Sequence, residues 1–258
     1  MPQIAKRHTT LLARWKAEEQ VPFIGWDFSY LDGRMFEEQP PWSYTQHAGE
    51  LLQSATCALD MGTGGGERLL ELRPQWSPVL VATEDYAPNV YLAGRRLASE
   101  GCSVVVARLS DTDPLPFSDG AFDVVLNRHS GLNAFEVARI LSRNGRFYTQ
   151  QIHGLWAADL LAVFDASPQW PDSTPEKYVP RLEASGLTIV DVAEWNGRLR
   201  FKDVGAIVYY LRAAPWLVPG FSVDTHADAL LRLQTQLESG ESLEYSIGKY
   251  AIEARRDH

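Results

Sequence analysis

The sequence predicts a doubly wound α/β fold, in which helices cover both faces of a largely parallel sheet. Short β-branched runs alternate with amphipathic helical stretches between residues 56 and 152, which is typical of such a sheet. A glycine-rich turn follows the first run, at the place where sheets of this class bind ligands. The 258 residues, of which 45% are hydrophobic and 22% charged, suit an ordinary globular protein.

The first fifty residues precede this alternation, and we predict a separate segment there. Residues 1–50 are expected to form an N-terminal helix and an aromatic stretch, FIGWDFSYLDGRMFEEQPPWSY. Pro40 and Pro41 interrupt any helix in this stretch, which we interpret as a lid rather than a core element. Residues 51–258 are expected to form the main domain.

The main domain is expected to begin with a short helix in SYTQHAGELLQSA, started by a Ser or Thr. Strands and helices then alternate. The predicted strands are ATCALDM, SPVLVATE, SVVVARL, FDVVLNR and GRFYTQQI, and the predicted helices are GERLLEL, APNVYLAGRRLASEG and NAFEVARILS. In the second of these helices Pro88 lies near the first turn and Gly101 just past the end, as helix termini favour.

The C-terminal part of the chain predicts a cap inserted before the last strand. Asn196-Gly197 is typical of a tight turn. Asp203 is a candidate N-cap for a helix in which Val204, Ile207, Val208 and Leu211 share one face. A second amphipathic helix, HADALLRLQTQLESG, is followed by the final strand SIGKYAIEARR. We interpret residues 198–240 or thereabouts as the cap.

Charge and composition limit the kinds of partner and the compartment that we expect for the protein. The net charge of −9 and pI of about 5.2 mean that the average surface repels nucleic acid. Cys57 and Cys102 are too few for a disulfide framework and are not spaced as metal ligands, so no metal is expected. The N-terminal stretch breaks its apolar residues with charges, so we expect neither a signal peptide nor a membrane span. A cytoplasmic protein, monomeric or homodimeric, is the expectation.

The glycine-rich turn distinguishes between two kinds of cofactor. Its sequence, DMGTGGG from Asp60 to Gly66, contains D-x-G-x-G-x-G rather than the dinucleotide fingerprint G-x-G-x-x-G. A carboxylate such as Asp60 is unfavourable against a pyrophosphate but favourable against an ammonium group. The turn therefore predicts a cofactor that carries a cation.

From about Thr56 to Ile152 the chain resembles the class I, seven-stranded S-adenosylmethionine-dependent methyltransferases of the methyltransferase type 11 kind. The resemblance implies that the glycine turn contacts the methionine part, that Glu84 binds the ribose, and that Asp111 with Thr112 contacts the adenine. FSDGAFDVVLNR resembles the family's fourth motif, whereas Asn144-Gly145 replaces a frequent Pro-Gly. The cofactor-binding candidates are Asp60, Gly62, Thr63, Gly64, Gly66, Glu84, Asp85, Asp111, Thr112, Asn127 and Arg128. The implied fold is a Rossmann-like sheet of strand order 3-2-1-4-5-7-6 with the last strand antiparallel.

The sequence gives less information about the methyl acceptor than about the cofactor. The stretch LNRHS at residues 126–130 lacks the prolines and aromatic residue found in enzymes that methylate nucleobase amines. His129 is a candidate general base, or alternatively hydrogen-bonds a loop without moving a proton. Arg128 is a candidate for binding an acidic group of the substrate or the cofactor, or for a surface ion pair. The candidate substrate residues are Trp26, Tyr30, His153, Trp156, Tyr209 and Tyr210; the alternative for the aromatic ones is simple packing.

We therefore expect methyl transfer from S-adenosylmethionine to a small, partly apolar acceptor. An RNA methyltransferase is the alternative if Arg95, Arg96 and Arg128 form a basic groove. An NAD-dependent oxidoreductase and a non-catalytic S-adenosylmethionine-binding protein are alternatives of other classes.

Overall fold

A computed structural model describes residues 2–23 and 27–257. The helices are α1 (Pro2–Glu19), α2 (Tyr44–Ser54), α3 (Glu67–Glu71), α4 (Ala87–Ala98), α5 (Ala134–Ile140), α6 (Ala158–Val163), α7 (Pro175–Ala184), α8 (Val204–Ala213) and α9 (Ala227–Glu238). The strands are β1 (Met35–Glu37), β2 (Cys57–Met61), β3 (Val79–Glu84), β4 (Ser103–Val106), β5 (Phe122–Arg128), β6 (Leu141–Ile152), β7 (Leu187–Phe201) and β8 (Leu243–Arg256).

The strands form one sheet, and its order corrects the prediction. The described residues contribute eight strands in the order β1-β7-β8-β6-β5-β2-β3-β4, so the predicted count of seven and the predicted order are wrong as stated. The difference arises at one edge, where β1 pairs antiparallel with Leu199–Phe201 of β7. The core of the sheet is parallel from β4 to β6, and β8 is antiparallel to β6, as expected for the last strand.

β1 also bears on two other predictions. The aromatic stretch predicted to be a lid contains this strand, which was missed because a three-residue strand between aromatic residues and prolines has little local signal; the role of the stretch as a lid stays a prediction. The predicted turn at Asn196-Gly197 is absent, and β7 continues through both residues. Beyond them, Glu38 and Arg198 exchange hydrogen bonds in both directions, which keeps β7 extended up to its pairing with β1.

The chain divides into two compact units. One comprises Met1–Gln39, Gly154–Pro171 and Asn196–Gly248, and the other comprises Pro40–His153, Asp172–Trp195 and Lys249–His258. The second unit holds the parallel strands and two buried clusters, one containing residues of α5 and α7 and the other residues of α2 and α4. Such packing on both faces is what the near-continuous apolar strands predict.

Several helix starts have the predicted caps. Ser43 accepts a hydrogen bond from the Gln46 backbone at 3.2 Å, and Asp203 accepts one from Ala206 at 2.9 Å. Asn133, which was not predicted, caps α5 in the same way. These bonds satisfy backbone groups that the first turn of a helix leaves unpaired.

None of the helices in the described part of the chain is both long and apolar enough to cross a membrane.

Candidate active site

The candidate site lies in the second unit, where three neighbouring parallel strands end. Asp60 of β2 lies opposite Ala82 of β3 and Leu126 of β5. β3 ends at Glu84 and β5 at Arg128, so these two residues lie at the same edge as Asp60. The carboxyl edge of a parallel sheet therefore collects two acids and a cation, as the sequence predicted.

The glycine turn adopts backbone conformations that favour glycine. Gly62, Gly64 and Gly66 have φ angles of 72°, 64° and 83°, in the left-handed region. A Cβ at Gly62 would overlap the Ser130 hydroxyl, so the turn packs directly against the loop after β5. The Thr63 N–H donates to the Thr83 carbonyl oxygen at 2.9 Å, which fixes the turn to the end of β3.

Glu84 holds the turn from the neighbouring strand. Its carboxylate accepts the Gly64 N–H at 2.7 Å, and the Asp85 and Tyr86 N–H groups at 3.0 Å each. The side chain is buried. Asp85 itself is exposed, and its backbone rather than its carboxylate contributes here.

Asp60 is the most perturbed acid of the site. Burial raises its pKa from 3.8 to about 6, against the opposing effects of the Thr63 hydroxyl and the Arg128 guanidinium. The Thr63 hydroxyl is itself buried, and it forms no hydrogen bond of good geometry to a described residue. A half-buried carboxylate beside an unsatisfied hydroxyl is a favourable place for a bound cationic donor.

A small cavity of about 40 Å³ opens beside Asp60. It has room for only a few water molecules, whereas ligand pockets usually measure about 300–1,000 Å³. A nucleoside therefore requires this part of the protein to open. The polar and aromatic residues that line the cavity are Tyr44, Asp60, Thr63, Arg68 and Arg128. A wider groove of about 470 Å³ runs between α2 and residues 71–75 and contains none of the predicted site residues.

Two lining residues were missed by the sequence analysis. Tyr44 is buried at the first position of α2, and the Arg128 guanidinium lies 5.8 Å from the centre of its ring. Arg68 lies in α3, two residues after the last glycine of the turn, and donates to Glu71 at 2.6 Å. The position of Arg68 beside the glycine turn could have identified it from the sequence. Nothing in the sequence indicated Tyr44 except its place at the start of a predicted helix.

Asp111 is already engaged by α7. Its carboxylate contacts the Lys177 ammonium at 2.9 Å and accepts hydrogen bonds from Arg181 at 2.7 Å and from the Tyr178 hydroxyl at 3.3 Å. Desolvation raises the pKa of Asp111, but the two cations outweigh it and lower the pKa below its ordinary value. Thr112 is exposed, and its N–H donates to Ser110 Oγ. The adenine contact of both residues stays a prediction.

Asn127 supports the loop after β5. Its Oδ1 accepts hydrogen bonds from Thr149 at 2.9 Å and from Gln151, and its Nδ2 donates to the Gly131 carbonyl at 3.3 Å. The residue is fully buried. These bonds use its polar atoms within the protein, so Asn127 shapes the loop that carries His129.

His129 lies in that loop with a φ of 55°, which is unusual for a residue other than glycine. Its Nε2 lies 3.3 Å from Gln150 Nε2. The ring is surface-accessible. Dense surrounding protein and the cations Arg128, Lys249 and Arg68 together lower the pKa of His129 well below its ordinary value. The ring is neutral at physiological pH.

The comparison with known protein families bears on the segment that carries the site. Residues 59–149 match the family model described as a methyltransferase domain. This segment is therefore similar to the methyltransferase domains of that family. It contains the glycine turn, Glu84, Asp111 and the β5 loop, which are the features that carried the resemblance.

Several solved structures share the fold of the chain. The YcgJ protein of Bacillus subtilis aligns with a TM-score of 0.58 and 15% identity, over 83% of this chain and 98% of that one. A geranyl diphosphate methyltransferase in complex with S-adenosylmethionine aligns at 0.50 and 17%, over 82% and 84%. The [4+2]-cyclase SpnF aligns at 0.53 and 16%, over 96% and 92%. No curated protein sequence matches the chain significantly.

The candidate acceptor residues fall into different parts of the chain. In the first unit, Tyr30 packs against Tyr209 with ring centres 4.6 Å apart, and the Trp156 indole donates to the Tyr210 hydroxyl at 3.0 Å. In the second unit, His153 lies 3.7 Å from a Glu194 oxygen. Trp26 is outside the described residues. The substrate role of all six stays a prediction.

A substitution tests how tightly the glycine turn packs. Gly62→Ala is expected to lower the free energy of unfolding by about 2 kcal/mol, because the new Cβ adds a clash with Ser130 to an unfavourable φ. Gly33→Ala is the matched control, since Gly33 has the same φ of 72° and open space at the Cβ position. Chemical denaturation should show the smaller loss for the control; equal losses would contradict close packing.

Proposed function

We propose that the chain is an S-adenosylmethionine-dependent methyltransferase that acts on a small, partly apolar acceptor. The observation that carries the proposal is the pair of acids at adjacent strand ends with the glycine turn between them. Glu84 already binds the turn through the Gly64 N–H, and Asp60 lies at the start of the turn. The proposal is supported by the methyltransferase-domain match over residues 59–149.

The charges of the cavity fit the amino-acid end of the proposed cofactor. That end carries an ammonium and a carboxylate, and the cavity presents Asp60 for the first and Arg68 and Arg128 for the second. The unsatisfied Thr63 hydroxyl supplies a further polar group. Glu84 would bind the ribose hydroxyls, and Asp111 with Thr112 the adenine.

S-adenosylmethionine, when bound, supplies a methyl group on a positively charged sulfur. The protein has little further bond-making to do, so its residues act by binding, orientation and exclusion of water. Asp60 attracts the cationic end, Glu84 fixes the nucleoside, and Tyr44 lines the cavity beside Arg128.

The alternatives have weaker support. An RNA methyltransferase needs a basic groove, but Glu67 pairs with Arg96 and offsets the charge of one of the three arginines that would form it; Arg95 stacks on the uncharged ring of Tyr91. An NAD-dependent oxidoreductase needs a pyrophosphate beside Asp60, which the carboxylate disfavours. The likeness to a cyclase shows that this fold hosts other reactions, so the acceptor chemistry rests on the site and not on the fold.

The proposed function is tested by thermal unfolding with S-adenosylhomocysteine, the product of methyl transfer. At a concentration one hundred times its Kd, we expect stabilisation of about 3 kcal/mol. NADH is the comparison ligand and should give no shift. Stabilisation by NADH alone would favour the oxidoreductase, and stabilisation by neither would contradict cofactor binding.

A second measurement separates an enzyme from a non-catalytic binding protein. A screen of metabolite extracts with labelled methyl donor should yield a labelled small molecule. Binding of S-adenosylhomocysteine without any labelled product would contradict the enzymatic part of the proposal.

A further inference from the structure

Gly65 is the glycine of the turn that the cofactor motif does not explain. In D-x-G-x-G-x-G the glycines are Gly62, Gly64 and Gly66, and all three have left-handed φ angles. The φ of Gly65 lies outside that region, so its backbone conformation does not require glycine. Gly65 must therefore lack a side chain for another reason.

The missing side chain of Gly65 leaves room for an ion pair. Arg96, in α4, pairs with Glu67, the first residue of α3. A Cβ on Gly65 would lie 2.8 Å from Glu67 Oε2 and 2.9 Å from Arg96 Nη1, which is closer than such atoms approach in proteins. The ion pair therefore lies directly against the turn, and a larger residue at position 65 would displace it.

Arg96 also binds the backbone of the turn. Its Nη1–H donates to the Gly65 carbonyl oxygen at 3.0 Å. Glu67 contacts the same nitrogen and so holds the guanidinium in place for this bond. A hydrogen bond from a charged donor is about twice as strong as one between neutral groups, and Gly65 is buried, which limits competition from water.

The next residue of α4 packs against the next glycine of the turn. A Cβ on Gly66 would lie 2.9 to 3.1 Å from three side-chain carbons of Leu97, which is fully buried. Arg96 and Leu97 thus contact two successive residues of the turn. We call these two side chains the α4 clamp.

The turn is held by β3 as well as by the α4 clamp. Glu84 of β3 accepts the Gly64 N–H at 2.7 Å, and the Thr63 N–H donates to the last turn of backbone before it. Glu84 is also the proposed ligand of the ribose, so a bound ribose competes with the Gly64 N–H for one carboxylate. The α4 clamp then holds Gly65 and Gly66 independently of Glu84.

We propose that Arg96 is a positioning residue for the cofactor. Through the Gly65 carbonyl it holds the glycine turn in the conformation that binds S-adenosylmethionine while the Glu84 carboxylate binds the ribose. Arg96 acts on the cofactor only through the turn. The identity of the ligand rests on the proposed function, whereas the action of Arg96 on the turn does not.

Arg96→Met tests this role, with Arg95→Met as the matched control. The methionine keeps an unbranched side chain but donates no hydrogen bond to Gly65. Without the clamp the turn adopts its binding conformation for a smaller fraction of the time, so the affinity for S-adenosylhomocysteine should fall about tenfold. Arg95 donates to the Tyr91 hydroxyl at 3.3 Å instead, and its variant should bind like the wild type. Wild-type affinity in Arg96→Met, or equal losses in both variants, would overturn the inference.

Gly65→Ala removes the same contact by a second route. The new Cβ displaces only the ends of two flexible side chains, so the free energy of unfolding should stay near the wild-type value while the affinity falls about tenfold. Because both substitutions act on one contact, Gly65→Ala combined with Arg96→Met should bind no more weakly than either variant alone. A multiplied loss of about a hundredfold would show that the two residues act separately and would overturn the inference.

Rescue and hydrogen exchange distinguish positioning from a loss of stability. Arg96 uses one nitrogen for both partners, so the ammonium of Arg96→Lys should restore most of the affinity. The Gly66 N–H donates to the Thr63 carbonyl at 3.1 Å, and its exchange without ligand should be faster in Arg96→Met but not in Arg95→Met. Unchanged exchange or no rescue would overturn the inference. Exchange needs no ligand, so a wild-type protein that does not bind S-adenosylhomocysteine would contradict the proposed function alone.

Discussion

Glu84→Ala is expected to abolish most binding of S-adenosylhomocysteine and to lower the free energy of unfolding by about 3 kcal/mol. The carboxylate accepts three backbone N–H groups, so its removal leaves the glycine turn without its partner on β3. The same carboxylate is the proposed ligand of the ribose. Calorimetric titration and chemical denaturation measure the two effects separately.

Asp123→Ala is the matched control for this prediction. Asp123 also uses a carboxylate to hold backbone N–H groups, those of Thr56 and Cys57 at 3.0 and 3.1 Å, and it accepts from Ser142 Oγ at 3.0 Å. It lies at the opposite end of β5 from the site. The control should lose stability and keep its affinity for S-adenosylhomocysteine. Equal loss of affinity in both variants would contradict a direct role for Glu84.

Asp60→Asn is expected to weaken S-adenosylhomocysteine binding by about 10- to 100-fold, the size of a charge-assisted hydrogen bond. The wild-type affinity should also fall as the pH drops through about 6, because Asp60 then gains a proton and no longer attracts an ammonium. The variant should show no such dependence. Binding titrations at pH values from about 5 to 8, which extend one to two units around this pKa, measure the loss of affinity and its pH dependence.

Lowering the pH should change the free energy of unfolding of the ligand-free protein in the direction opposite to its change in ligand affinity. The pKa of Asp60 is raised from 3.8 to about 6 in the folded protein, so its contribution to stability is full below pH 3.8 and is lost as the pH rises through about 6. Without ligand, Asp60→Asn should therefore be more stable than the wild type at pH 7. Asp119→Asn, at an exposed acid, controls for the lost charge. If Asp60→Asn were less stable than the wild type at pH 7, the assignment of a pKa raised by burial to Asp60 would be contradicted.

The features of the structure that could be predicted are those that short stretches of sequence determine. Alternating strands and helices, the caps at Ser43 and Asp203, and the acids at strand ends can all be read from short stretches of sequence. β1 could not, because three residues become a strand only by pairing with residues more than 160 positions away. The same pairing overrides the turn preference of Asn196-Gly197.

The residues of the candidate site divide in the same way, into those that local sequence predicts and those that only the folded sheet brings together. Asp60 and the glycines follow from one motif, and Glu84 follows from its place at the end of the next predicted strand and from the family resemblance. Tyr44, Gln150 and Lys249 come from α2, β6 and β8, and only the sheet brings them to one face. Asp111 was predicted as a cofactor residue, but its ion pairs with Lys177 and Arg181 depend on α7, which follows it by more than 60 residues.

The central claim is that an S-adenosyl nucleoside binds at the carboxyl edge of β2, β3 and β5, and a crystal structure with S-adenosylhomocysteine tests it most directly. The account predicts that the small cavity opens, that the ammonium lies against Asp60, and that the ribose hydroxyls contact Glu84. A nucleoside bound elsewhere, or crystals grown at saturating ligand in which Glu84 stays on the glycine turn and no nucleoside is seen, would contradict it.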